Sequence, residues 1–146
     1  MTQQSDAILA TQAVCKDLAV RTAYFADLQD YESFVQLFTE DATLTRPGGE
    51  PLVGRQAILA SYLAKPADRL TRHFVTNTVV YDITPDTASM NSYVLLWSSS
   101  TDQPLETFGR KANARQVAGE FIDQVVLTDE GWKIAQRRAV FNMYTV

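Results

Sequence analysis

His73 is the only histidine in this 146-residue sequence. Imidazole gains and loses protons near neutral pH, so a lone histidine on an apolar surface is a candidate general base. His73 lies in a run rich in Val and Thr. Strand alternation places it on one face with Val75, Asn77, Val79, Tyr81 and Ile83, provided no bulge intervenes. That face is largely apolar and should point toward a core or pocket. The competing reading is a buried histidine hydrogen-bonded for structure alone. Asp27 is the second candidate. It falls in the last turn of the first predicted helix, where the macrodipole disfavours a negative charge by roughly 0.3 kcal/mol or more. Tyr24 stands three residues before it and shares its helix face, and Tyr31 follows four residues after. The plain alternative is a solvated acid at a helix end, with Asp30 capping the next helix.

Other groups carry weaker signals. Phe121 and Asp123 share a strand face with Val117, Val125 and Leu127, so an inward Asp123 would need a partner. Arg137 and Arg138 point to opposite faces, which would make one of them inward and available to an acid. Asp41 suits the turn before the first strand, and Arg110-Lys111 suits a solvated loop. Trp97 is a candidate substrate contact, although Trp97 and Trp132 also fit a core or an interface. Asn77, Trp97, Phe121 and Asp123 complete the set of possible substrate contacts. The sequence has no phosphate loop, dinucleotide fingerprint, Gly-x-Ser-x-Gly elbow or metal-ligand cluster. The expectation is therefore no cofactor and no metal.

These side chains must be positioned by the surrounding elements. Val14, Leu18, Thr22, Phe25 and Leu28 recur at helical spacing, which predicts a helix from about Ser5 to Leu28 with Ser5 as N-cap and Asp6 in its first turn. Asp30 can cap a short helix from Tyr31 to Phe38. A strand from Ala42 to Arg46, a Pro/Gly loop and a helix from Arg55 to Lys65 follow, with Pro66 as the stop. The remainder reads as long strands at Leu70–Thr84, Thr87–Ser99, Arg115–Leu127 and Trp132–Asn142. Pro85-Asp86 and Asp129-Glu130-Gly131 are turns, and Ser100–Asn113 is a polar loop. Helices first and hairpin-linked strands afterwards are the α+β pattern. Long strands twist, so helices packed on a curved antiparallel or mixed sheet would enclose a pocket within one domain, residues 1–146.

Composition sets outer bounds. Hydrophobic residues make up 46% and charged residues 21%, ordinary values for a globular chain. A net charge of −4 argues against a nucleic-acid partner, which requires a basic face. One cysteine, Cys15, allows no intrachain disulfide and suits a reducing compartment. No apolar run approaches the roughly 18 residues of a membrane span, and no secretory signal is evident, so the expectation is a cytoplasmic protein without a membrane partner. Tyr93, Leu95 and Trp97 fall on one strand face and Val94 and Leu96 on the other. A sheet apolar on both faces must cover both, which predicts a homodimer or homotrimer.

Several segments together resemble a known family. Tyr24-Phe25-Ala26-Asp27-Leu28-Gln29-Asp30-Tyr31 and Phe38-Thr39-Glu40-Asp41-Ala42 resemble the helix-to-strand entry of SnoaL-like proteins. So do Val53-Gly54-Arg55, Thr71-Arg72-His73-Phe74-Val75 and Asp129-Glu130-Gly131-Trp132-Lys133-Ile134, in the same order. These proteins belong to the nuclear transport factor 2-like superfamily. The resemblance implies a cone-shaped, cystatin-like roll with a deep pocket. Within the superfamily the chain is similar to the scytalone dehydratase and bile-acid dehydratase branch. There an aspartate ending the first helix orients a histidine on the first long strand, positions matched by Asp27 and His73. The chain departs from scytalone dehydratase in three places. Ala26 stands where a tyrosine precedes that aspartate, Phe121 stands near the position of an asparagine, and no second histidine exists.

The expected function is a dehydratase or isomerase acting on a small hydrophobic cyclic carbonyl compound. His73 would be the base, Asp27 its orienter, and Tyr24 and Tyr31 donors to the developing enolate. The alternatives are a non-catalytic ligand-binding or accessory subunit, and a cyclase or epoxide hydrolase that relies on carboxylates.

Overall fold

The computed structural model describes residues 2–146. Helix α1 spans Gln3–Asp27. Its N-cap is Thr2 rather than Ser5: the Thr2 hydroxyl accepts the Ser5 N–H at 3.2 Å. Both residue types cap well, so the helix starts at the earlier of two competent positions. The buried face is Cys15, Leu18, Ala19, Thr22 and Ala23, while the expected stripe residue Val14 is 43% exposed. Small side chains let a helix approach a sheet closely, and here close approach selects the face instead of apolar bulk.

Helix α2 is Tyr31–Val35, with Asp30 capping it by accepting the Ser33 N–H at 3.2 Å. It stops three residues before the expected end, because Phe38 opens strand β1, Phe38–Thr45, and pairs with Ile134. Phe34 and Phe38 still pack together, their ring centroids 5.1 Å apart. A four-residue apolar spacing therefore survives in a helix-to-strand turn. Strand β2, Leu52–Val53, pairs antiparallel with β1, and helix α3 covers Arg55–Leu63. Strands β3, Arg69–Tyr81, β4, Thr87–Ser100, β5, Val117–Thr128, and β6, Gly131–Tyr144, form a meander.

The six strands make one open sheet in the order β2-β1-β6-β5-β4-β3. β1 and β6 run parallel and every other neighbouring pair is antiparallel, so the α+β class with a mixed sheet is as expected. One apolar cluster joins α1 to the long strands through Leu18, Ala19, Val80, Met90 and Val125. A second joins α2 and α3 to β1 and β6 through Phe34, Phe38, Leu44, Ile58 and Ile134. Among the described residues no helix is long and apolar enough to cross a membrane.

A bulge corrects the predicted alternation in β3. Asn77 has φ 52°, and the β3–β4 register shifts between Thr76 and Val79. An extra residue in one strand inverts every later side chain relative to the earlier ones. His73 and Val75 therefore face inward, whereas Asn77, Val79 and Tyr81 are exposed and Val80 is buried. Asn77 does not share the face of His73. Trp97 also lies on the outer side: it sits opposite Arg72, is 41% exposed, and neighbours the exposed Phe74, Tyr93 and Leu95.

Candidate active site

Asp27 is the last residue of α1, and Thr71 and His73 lie two residues apart on one face of β3. β3 is an edge strand, with only β4 beside it. Its outward backbone N–H groups therefore need partners from outside the sheet. Asp27 supplies one, its Oδ2 accepting the His73 backbone N–H at 2.9 Å. Its Oδ1 accepts the Thr71 hydroxyl at 2.8 Å and lies 2.6 Å from His73 Nδ1. Burial pushes the Asp27 carboxyl up, but the His73 ring and amide and the Thr71 hydroxyl outweigh it and leave the carboxyl below its ordinary value. An ionised carboxylate only accepts hydrogen bonds, so Nδ1 carries the ring proton and Nε2 is the basic nitrogen. The same donors offset the unfavourable placement of an anion at a helix C-terminus.

His73 lines a cavity of about 280 Å³ between the helices and the sheet. Ala23, Ala26, Phe34, Leu44, Val94 and Leu96 supply apolar wall. Two further expected site residues, Tyr31 and Phe121, also line it. The Tyr31 ring lies 5.4 Å from that of Tyr62, and burial raises its phenol pKa despite the opposing pull of Arg69 and Arg46.

Four expected residues lie elsewhere. Tyr24 is 59% exposed and packs edge-on against Phe25, because α1 turns Thr22, Ala23 and Ala26 to the cavity instead. Asn77 and Trp97 are on the outer face, as described above. Asp123 is fully buried behind the cavity wall, where its two oxygens accept Arg137 Nε and Nη2 at 2.8 Å each. Arg137 itself lines the cavity, stacks 3.9 Å above the Phe121 ring, and donates to the Thr22 hydroxyl at 2.9 Å. The inward arginine of the Arg137-Arg138 pair is thus Arg137, and Asp123 is its counter-charge instead of a substrate contact.

Sequence reasoning missed Thr71, whose signal was its position two residues before His73 on the same face. It also missed the cavity-lining Arg46, Lys65 and Arg69, which come from three separate segments and share no motif. Among the described residues no group of three or more His, Cys, Asp or Glu could hold a metal ion.

The structure is thus an α+β arrangement of helices on an open mixed sheet, with His73 and Asp27 meeting at the wall of a cavity between them. The chain belongs to the SnoaL-like domain family, whose model matches residues 7–138. No curated protein matches the sequence. Among solved structures it is similar to a candidate scytalone dehydratase from Novosphingobium aromaticivorans DSM 12444, at 22% identity and TM-score 0.81, covering 97% of this chain and 90% of that one. It is also similar to a type 2 hexachlorocyclohexane dehydrochlorinase, LinA, at 18% identity and TM-score 0.80, covering 97% and 91% of the two chains. A candidate aromatic ring hydroxylase from Novosphingobium aromaticivorans DSM is 27% identical with TM-score 0.76, covering 92% and 91%.

Proposed function

We propose that this protein is a cofactor-free acid–base lyase or isomerase that acts on a small, largely apolar cyclic carbonyl compound. The observation that carries the reading is His73 held through Nδ1 by Asp27 at 2.6 Å while its ring lines the cavity. Nε2 would remove a proton from the carbon beside the substrate carbonyl. The C–H electron pair then moves onto the carbonyl oxygen as an enolate. Tyr31, which lines the same cavity, would donate to that oxygen. In dehydration the enolate collapses, the C–O bond to a β-hydroxyl breaks, and the proton on Nε2 leaves with that oxygen as water. In isomerisation the same proton returns to a different carbon. Asp27 stabilises the imidazolium in both. The dehydratase and dehydrochlorinase named among the structural neighbours denote loss of a proton and a leaving group from adjacent carbons, which supports elimination.

Histidine is favoured over a carboxylate as base. Both Asp123 oxygens are taken by Arg137, and both Asp27 oxygens are occupied at β3. The test is incubation with cyclic β-hydroxy ketones in deuterium oxide. The expected result is deuterium at the α-carbon, or growth of conjugated-enone absorption. Tight binding of such compounds with neither change would assign the cavity to ligand binding alone.

For the outer sheet face, we propose that a second copy of the chain covers Phe74, Tyr93, Leu95 and Trp97, giving a homodimer or homotrimer. The face is contiguous and apolar, and Arg72 and Glu120 stand beside it on opposite sides with opposite charges. Light scattering should give a mass at least twice 16.3 kDa, and a monomer mass in dilute solution would refute the assembly.

A further inference from the structure

Three basic residues gather on one part of the cavity wall. Arg46 follows β1, Lys65 follows α3, and Arg69 opens β3. None of them belongs to the ion pairs among the described residues, which are Arg21–Asp17, His73–Asp27 and Arg137–Asp123. Arg46 donates through Nη2 to the Ser61 hydroxyl, but its Nε is buried without a partner. A buried donor left unpaired is costly unless something else completes it. Arg46 and Lys65 both stack on the Tyr62 ring, at 4.4 and 4.2 Å from its centroid. The Gln29 amide donates to the Ala67 and Arg69 carbonyls at 3.1 and 2.8 Å, which ties the start of β3 to the end of α1.

The cations are close enough to repel one another. Burial first, then Arg46 and Arg69, push the Lys65 ammonium down to about 8. Of the residues lining the cavity only Glu120 is acidic, and its side chain lies on the outer face beside Tyr93, where its Oε2 accepts from Asn142 on β6. A like-charge group with no carboxylate of its own destabilises the empty fold. It becomes favourable when an anion enters, because guanidinium groups bind a carboxylate through paired, charge-assisted hydrogen bonds.

We infer that the ligand of this cavity carries a carboxylate, bound by Arg46, Lys65 and Arg69 beside Tyr31 and Tyr62. The inference rests on the cavity being the substrate site and names the class of substrate it takes. Arg69 and His73 are four residues apart on one face of β3, which separates their Cα atoms by roughly 13 Å. In this pose the carboxylate is not attached to the carbon that His73 deprotonates. It sits across a ring or a short chain from it, so that the anion fixes one end of the substrate and presents the other to Nε2. The substrate class becomes a cyclic keto acid, with the acid remote from the acidic C–H.

Two isosteric probes test this, 2-naphthoate and the neutral 2-naphthamide, with affinities read by calorimetry. Naphthoate is expected to bind roughly tenfold more tightly or better, with the advantage shrinking as sodium chloride is raised. Lys65→Gln and Arg69→Gln should each remove most of that advantage while leaving naphthamide affinity within about twofold. Both side chains reach solvent, so one variant reads the effect even if the other misfolds. Equal affinity for the two probes, absence of naphthoate binding, or equal weakening of both probes in the variants would overturn the inference. His73→Ala should keep the preference for naphthoate. Absence of turnover of any cyclic ketone by the unmodified protein, with the preference intact, would sink the acid–base reading alone. Turnover of neutral ketones without the preference would sink only the anionic ligand.

Discussion

Replacing Asp123 by alanine is expected to destabilise the fold by about 3–5 kcal/mol. Asp123 is 0% and Arg137 3% exposed, so neither charge has water to fall back on. The carboxylate meets two guanidinium nitrogens at 2.8 Å each, and Thr22 receives a third N–H at 2.9 Å. Without Asp123 the guanidinium keeps that hydroxyl and the faces of Phe121 and Phe38. None of these neutralises a full positive charge in a low-dielectric interior. Asp123→Asn should lose less, since an amide oxygen still accepts one N–H. Arg138→Ala on the exposed side of β6 should stay within about 0.5 kcal/mol. Urea denaturation of the three variants measures the order. A loss under about 1 kcal/mol for Asp123→Ala would mean that water or a shifted side chain replaces the carboxylate. The double variant Asp123→Leu with Arg137→Met should recover much of the loss, because removing both charges also removes their desolvation cost.

The elements were legible wherever a local signal decided them. Asp30 caps α2, Pro66 follows α3, and Pro85-Asp86 and Asp129-Glu130-Gly131 join the strands they were expected to join. Apart from the N-cap of α1, the misreadings share a physical cause, since a neighbour distant in sequence settled them. The buried face of α1 is set by how closely the sheet approaches, which favours Ala19 and Ala23 over Val14. Phe38 reads as the last residue of a helix until Ile134 offers it a parallel partner. The bulge at Asn77 has a faint local signal, because asparagine tolerates positive φ better than its neighbours do. Nothing in the alternating pattern required it, and it moved Asn77 off the cavity face. Asp27 and His73 were legible because each lacked an ordinary role: one was an acid at an unfavourable helix end, the other a histidine on an apolar face. Tyr24 misled because helical spacing to Asp27 does not say which side of α1 the sheet occupies. Arg46, Lys65 and Arg69 left no trace as a group, since only the tertiary fold brings their segments together.

Replacing His73 by alanine is expected to lower turnover roughly 10²–10⁴-fold while leaving fold and ligand binding nearly unchanged. The fold should survive because the variant keeps two of the three donors to Asp27, the Thr71 hydroxyl and the backbone N–H of residue 73. The rate should fall because the other cavity group poised near neutral pH, Lys65 at about 8, belongs to the separate Arg46–Lys65–Arg69 cluster. The sequence holds no second histidine, and its single thiol, Cys15, is buried in α1 with its pKa raised to about 11 by that burial. An ordinary carboxylate is about two pK units weaker as a base than imidazole. The acids nearest the chemistry are already engaged, Asp27 by β3 and Asp123 by Arg137. Asp27→Asn should lose less than His73→Ala, since the base remains while the charge that stabilises its protonated form is gone. The measurement is initial rate on a cyclic β-hydroxy ketone found active with the unmodified protein, with circular dichroism and naphthoate affinity as controls. Full activity in His73→Ala would transfer the role of base to a carboxylate such as Asp27 or Asp123. Equal losses in both variants, with folds intact, would instead mean that His73 and Asp27 act as an inseparable unit, as expected when the base works only in the orientation the acid imposes.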